Sequence, residues 1–139
     1  KIRCVMRLLE IFSVQLCESL HRIRDLESRL ERAEIRKAKE YVAERFTDPD
    51  LGLVAAAAHA GLSPAHFSHL FRQETGVAFT RHVQRVRLEE AKRLLRASER
   101  SVSEICFACG FNSLPHFIRV FRTHERTTPG RFRHPERES

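Results

Sequence analysis

Apolar residues recur along the chain in three rhythms. From Ile2 to Ala33 they follow a heptad with no Gly or Pro. Ile2, Leu9, Leu16, Ile23 and Leu30 take one seam position, Val5, Phe12, Leu26 and Ala33 the other, and Ser19 breaks the seam. This predicts one long helix with a stripe that meets another surface. Beside the stripe, Arg22 faces Glu27 and Arg29 faces Glu34 in the sense that joins the strands of a parallel two-stranded coil. A homodimer through Ile2, Val5, Leu9, Phe12, Leu16, Ile23, Leu26 and Leu30 is one reading. The other is a single amphipathic helix packed on an upstream domain.

The second rhythm is short and occurs twice. Residues 63–72 (Ser-Pro-Ala-His-Phe-Ser-His-Leu-Phe-Arg) match residues 113–122 (Ser-Leu-Pro-His-Phe-Ile-Arg-Val-Phe-Arg) at an offset of fifty. Just upstream, Ala57, Ala60, Gly61 and Leu62 correspond to Cys106, Cys109, Gly110 and Phe111. Each copy predicts helix, tight turn, helix. In the first, the Ala-rich segment Leu53 to Ala60 stops at Gly61, Ser63 offers a capping hydroxyl, Pro64 sits where its missing N–H does no harm, and Gly76 ends the second helix. In the second, Ser101-Val-Ser-Glu104 is a capping box, Gly110 ends the short helix, Ser113 caps the next, and Pro115 falls in its first turn. A short helix, a Gly-containing turn and a second helix make a helix-turn-helix.

Between the copies lies the third rhythm. Phe79 to Arg96 has no helix breaker, carries Val83, Val86, Leu94 and Leu95 on an apolar side, and places many Arg residues on the other. A helix of that length spans roughly 27 Å. Successive major-groove segments on one face of DNA lie about 34 Å apart, so such a rod suits two recognition helices one turn apart. The expected fold is all-α: a seven-helix tandem helix-turn-helix domain over residues 35–134, preceded by a coil-like helix over 1–34 and followed by a tail, 135–139. The two units are expected at about 53–75 and 101–124, with the linker helix at about 79–96.

Charge sharpens this picture. The chain of 139 residues has a formal net charge of +7, and the excess is uneven: residues 1–34 hold 7 Lys/Arg against 6 Asp/Glu, the remainder 18 against 12. A basic surface on the repeat-bearing part favours a polyanion such as double-stranded DNA. Within each predicted recognition helix, Phe67, Leu70 and Phe71, or Phe117, Val120 and Phe121, fall at core spacing. Ala65, Ser68, His69 and Arg72, and Pro115, Ile118, Arg119 and Arg122, then face outward, with Leu114 and His116 near the tip. Arg119 suits bidentate bonding to guanine, Ser68 and His69 can donate or accept at base edges, and Ala65 or Ile118 suits a thymine methyl. Arg72 and Arg122, further along, suit phosphate. Ser63, His66 and Ser113, at the helix starts, are read as capping or phosphate-facing groups.

Other chemistries find little support. Cys106 and Cys109 form a C-x-x-C pair, but zinc needs two more ligands and the pair sits on a short helix, so buried thiols are the expectation and no metal or cofactor is assigned. The eight histidines are not accompanied by a Ser/His/Asp or paired-carboxylate arrangement, so the chain is read as a binding protein and not an enzyme. Four cysteines without a disulfide-scaffold pattern favour a reducing compartment, and no run is long and apolar enough for a membrane span. Lys1 opens in mid-pattern, which suggests the C-terminal piece of a longer protein. A protein-interaction module whose DNA contact is incidental is the alternative.

The sequence resembles the AraC/XylS family of bacterial transcription regulators in their C-terminal DNA-binding domain, over about Ile35 to Arg133. The resemblance rests on Gly61-Leu-Ser-Pro-Ala-His-Phe-Ser-His-Leu-Phe-Arg-Gln-Glu-Thr-Gly76, Arg85-Val-Arg-Leu-Glu-Glu-Ala-Lys-Arg-Leu-Leu95 and Ser103-Glu-Ile-Cys-Phe-Ala-Cys-Gly-Phe-Asn112. Phe117, Phe121, Thr128-Pro129 and Phe132-Arg133 extend it. It implies seven helices with two helix-turn-helix units, and base contacts from Ala65, Ser68, His69, Leu114, Pro115, His116 and Arg119. It also implies cytoplasmic, nucleoid-associated regulation of transcription near a promoter, often through RNA polymerase. The opening is similar to the linkers that join such domains to upstream sensory domains. Three departures stand out. Arg126 occupies a position usually held by Gly, Ala56 replaces a larger aliphatic residue, and Pro115 and His116 replace small polar and aromatic residues.

Overall fold

With no breaker after Ile2, the chain forms α1 (Ile2–Arg45), which ends just before Thr47-Asp48-Pro49. Proline biases the residue before it away from helical geometry, and the Asp48 side chain accepts from the Asp50 N–H at 2.9 Å in a local turn. The computed structural model describes residues 1–137 and is built of helices and turns. Its contacts divide the chain into two compact units, Lys1–Arg36 and the residues from Lys37 onward.

In the first unit every side chain from Lys1 to Leu30 is exposed. In the second, six further helices follow the end of α1: α2 (Leu53–Ala60), α3 (Pro64–Thr75), α4 (Phe79–Ala97), α5 (Val102–Ala108), α6 (Leu114–Glu125) and α7 (Pro129–Arg133). A 3-10 turn, Pro135–Arg137, follows. Of the expected tail, the last two residues lie outside the described residues. The helix pairs are α2 with α3 and α5 with α6, and α4 touches α3, α5 and α7. It is the element the two halves share.

The local chemistry explains the boundaries. Gly61 and Gly76 end α2 and α3 in the left-handed conformation, at φ 71° and 79°. Ser63 Oγ accepts from the His66 N–H at 3.2 Å, Ser101 Oγ from Glu104 at 3.1 Å, Ser113 Oγ from His116 at 3.4 Å and Thr128 Oγ1 from Arg131 at 3.3 Å. Each bond satisfies a donor that the first turn of a helix leaves open. At the far end of α6 the left-handed position falls to Arg126, at φ 58°, where glycine is the easy occupant.

Each half has an aromatic core. Phe67, Phe71 and Phe79 lie with ring centroids 5.2–5.9 Å apart, and Phe111, Phe117, Phe121 and Phe132 form a second chain at 5.0–5.9 Å. Phe67 and Phe117 occupy equivalent positions and both are fully buried. Truncating such a ring to Ala costs about 3–5 kcal/mol. The end of α1 meets the first half where Tyr41 stacks on His59 of α2 at 4.2 Å, and Ala38 and Val42 on the same stretch are buried.

One sequence expectation is corrected on α4. Val83 and Leu95 are buried as expected, and Val86 and Leu94 are half-buried. The arginines, however, are not confined to the polar side, because Arg87 lies on the buried stripe with Phe79, Val83, Leu88, Ala91 and Leu95. Its place follows from spacing: 79, 83, 87, 91 and 95 are four apart and share a helix face. It is accommodated there because Nε donates to the Phe46 carbonyl at 2.9 Å and Nη2 to the Asp48 carbonyl at 2.8 Å.

Candidate nucleic-acid interface

Burying Phe67, Leu70 and Phe71 turns the opposite face of α3 outward. Ser63, Ala65, His66, His69 and Arg72 are exposed there, and Ser68 is half-buried. On α6 the buried triad is Phe117, Val120 and Phe121, which leaves Pro115, Arg119 and Arg122 exposed and Ser113, Leu114, His116 and Ile118 half-buried. Leu114 and Ile118 pack partly against the second core, so their apolar surface is shared between packing and the outer face. Each outward face begins at a helix start, where backbone N–H groups and the helix dipole favour an anion.

The two tips differ in their side-chain contacts. On α6, Arg119 Nη2 lies 3.2 Å from His116 Nδ1, an arrangement in which the ring nitrogen must be unprotonated to accept. The His116 ring in turn meets the Phe111 ring in a T-shaped contact at 6.1 Å. Arg119 is thereby held from its own helix. On α3 the equivalent place belongs to His69, an exposed residue.

Charge pairs brace the rear of α6. Lys92 of α4 bridges Glu125 at 3.1 Å and Glu89 at 3.2 Å. The bond to Glu125 is the main reason its ammonium holds its proton more tightly than usual. Cys106 and Cys109 lie in the second core, and burial above all pushes the Cys109 thiol up to about 12, with Glu90 and Cys106 adding to it. Such a thiol is a poor ligand and a poor nucleophile. Burial likewise raises Cys106.

Arg87 is the residue that the sequence reading missed. Besides its two carbonyl bonds, its guanidinium sits over the Phe111 ring at 5.7 Å. Gly110, beside that ring, has φ 95° and no room for a side chain: a Cβ would collide with the Phe46 carbonyl oxygen and lie 3.0 Å from Arg87 Nε. The four-residue spacing from Val83 through Arg87 to Ala91 and Leu95 was the available signal.

In the first unit, Ile2, Val5, Leu9, Phe12, Leu16, Ile23, Leu26 and Leu30 are each more than half exposed. So are Met6, Leu8, Ile11, Val14 and Leu20, off the seam, so the apolar surface over the first turns is wider than a two-stranded coil uses. No helix among the described residues is long and apolar enough to cross a membrane.

Comparison with known proteins places this geometry. A family described as a helix-turn-helix domain, of AraC type, matches residues 56–134, more than half of the chain. The chain belongs to the AraC-type helix-turn-helix family. Among its relatives, the HTH-type transcriptional regulator GlxA of Rhizobium meliloti is 41% identical over 90 residues, covering 65% of this chain and 28% of the relative. The arabinose operon regulatory protein of Escherichia coli is 30% identical over 99 residues, covering 71% and 34%. This AraC-type chain therefore spans about a third of the length of these curated relatives. A solved structure of the DNA-binding domain of AdpA, in complex with a target DNA, superposes with a TM-score of 0.69 at 28% identity, covering 74% of this chain and 92% of that one. The all-α architecture with two helix-turn-helix units is that of AraC-type DNA-binding domains.

Proposed function

We propose that residues 35–134 bind double-stranded DNA sequence-specifically, with α3 and α6 entering adjacent major-groove segments of one duplex, and that the chain thereby regulates transcription in the cytoplasm. The observation that carries this reading is the duplication itself: two helices with matching buried triads and capped starts, each turning a polar face outward. The similarity to a domain solved on its target DNA supports it. Ala65, Ser68, His69, Leu114, Pro115, His116 and Arg119 are assigned to bases, and Ser63, His66, Arg72, Ser113 and Arg122 to phosphates. The chain acts by binding, not by catalysis.

Residues 1–34 are assigned as a connector that pairs with a second copy. The exposed seam and the complementary Arg22 and Glu27 support this assignment. The extra apolar residues Ile11 and Val14, outside the seam, suit contact with an upstream sensory domain that would control the chain. RNA polymerase is the proposed partner at the promoter. Sedimentation over a concentration series tests the pairing: a concentration-dependent dimer that Leu16→Asp abolishes is expected, and a monomer throughout would refute it.

Selection of preferred sites from random duplexes tests the DNA reading. An asymmetric site of about two turns per chain is expected. Affinity that falls with salt yet shows no sequence preference would instead favour incidental contact.

A further inference from the structure

We propose that Arg87 is a positioning residue that fixes the register between the two recognition helices, and so sets the half-site spacing the chain accepts. The inference rests on the two-groove reading above and adds to it the part that enforces the geometry.

A guanidinium on a buried stripe loses hydration, and burial is the main reason its proton is held less tightly than usual, although it remains charged. A leucine would suit the stripe formed by Phe79, Val83, Ala91 and Leu95. What an apolar residue cannot provide is direction. The planar fork of Arg87 reaches two carbonyls of one loop, Phe46 at 2.9 Å and Asp48 at 2.8 Å, and these charge-assisted bonds fix angle as well as distance. That loop precedes α2 and leads into the first helix-turn-helix unit. Its own path is set by the Asp48 turn, and the Asp48 carbonyl also accepts from the Leu51 N–H at 3.2 Å.

The same guanidinium covers Phe111, in the turn of the second unit. Gly110 lets that turn approach the Phe46 carbonyl closely enough to exclude any side chain. One residue on the shared helix therefore touches the loop before the first unit and the turn of the second. From Phe111 the contacts continue to His116 and then to Arg119 on the outward face of α6. α4 alone supplies length between the units, and the Arg87 contacts supply the rotational setting.

The test uses the full chain and duplexes that carry both half-sites at the selected spacing, or with one base pair inserted or removed between them. One base pair rotates the second half-site by about 35°. The wild-type chain is expected to lose about tenfold in affinity at either altered spacing, a penalty comparable to a mismatched base pair. Arg87→Met is expected to bind the selected spacing more weakly and to accept all three within about threefold, while binding an isolated half-site for α3 as before. Arg87→Lys keeps the charge and donors for the carbonyls but lacks the planar fork that fixes their angle, and is expected to fall between. It guards against loss of folding, which far-ultraviolet dichroism monitors. Gly110→Ala approaches from the other side of the contact and is expected to shift the preferred spacing. Folded Arg87→Lys and Gly110→Ala chains that keep the full wild-type ratio would overturn the proposal. A wild-type chain indifferent to spacing would remove the two-groove reading and the positioning role together, a result visible before any variant is made.

Discussion

The two helix-turn-helix units share a plan and differ in what they spend it on. In the first, the short helix is Ala-rich, glycines close both helices, and the outward face of α3 carries small or singly acting groups, Ala65, Ser68 and His69. In the second, thiols replace Ala57 and Ala60 in the core, an arginine takes the left-handed closing position, and the outward arginine is tethered to a histidine. The first unit is the conformationally easier one. The second carries more strain and presents a more pre-organised reading head. A duplicated scaffold has let stability and recognition part company.

The largest way to sharpen this contrast is through the thiols. Cys4 and Cys17 are exposed, whereas Cys106 and Cys109 are buried in the second core. Exchange with an aromatic disulfide at neutral pH is expected to label the first pair at once and the second at least about a hundredfold more slowly, at a rate set by local opening. Equal rates would mean that the second unit is not closed in solution.

Next in size is recognition. Arg119→Ala should cost about 1–3 kcal/mol on the preferred site and relax one base position in the half-site read by α6. Ser68→Ala, on α3, should cost less than about 1 kcal/mol. Competition binding against single-base variants of the site separates these outcomes. Uniform weakening on every duplex would reassign Arg119 to the backbone.

The closing residues come third. Gly76→Arg should destabilise the chain by about 1 kcal/mol in urea unfolding, because a side chain is forced into left-handed geometry. Arg126→Gly should stabilise it by ~0.5 kcal/mol, part of the gain being lost to the freer unfolded chain. Opposite signs are the prediction. The smallest effect concerns pH. Burial, then Lys39 and Arg85, hold the His82 proton affinity below its usual value, and its ring meets Phe71 at 5.3 Å. The unfolded chain then takes up that proton first, so stability is complete above the ordinary imidazole value of about 6.5 and falls as pH drops toward the lowered folded value. Melting temperature should decline across that window, and His82→Gln should flatten the decline.

Local signals made most of the fold legible. Gly61, Ser63, Pro64 and Gly76 each state a helix end in a single residue, and the spacing of Phe67, Leu70 and Phe71 states which side is buried. The outward face follows by subtraction, so the spacing alone assigns the candidate contact residues to their helices. What stayed hidden depends on distant partners. The acceptors of Arg87 are carbonyls 41 and 39 residues away, which leave no mark on composition or periodicity. Arg119 resting on His116 was equally unreadable, since two polar residues three apart are as often independent as joined. The left-handed geometry at Arg126 was legible only as a missing glycine.

Because Arg87 holds main-chain oxygens rather than side chains, the identity of residue 46 is free to drift, while the path of the loop, which the Asp48 side chain sets, is not. Grafting a recognition helix from a relative should therefore succeed when α4, Gly110 and the length of this loop travel together. Adding a single residue between Arg45 and Leu51 should be more disruptive than replacing several.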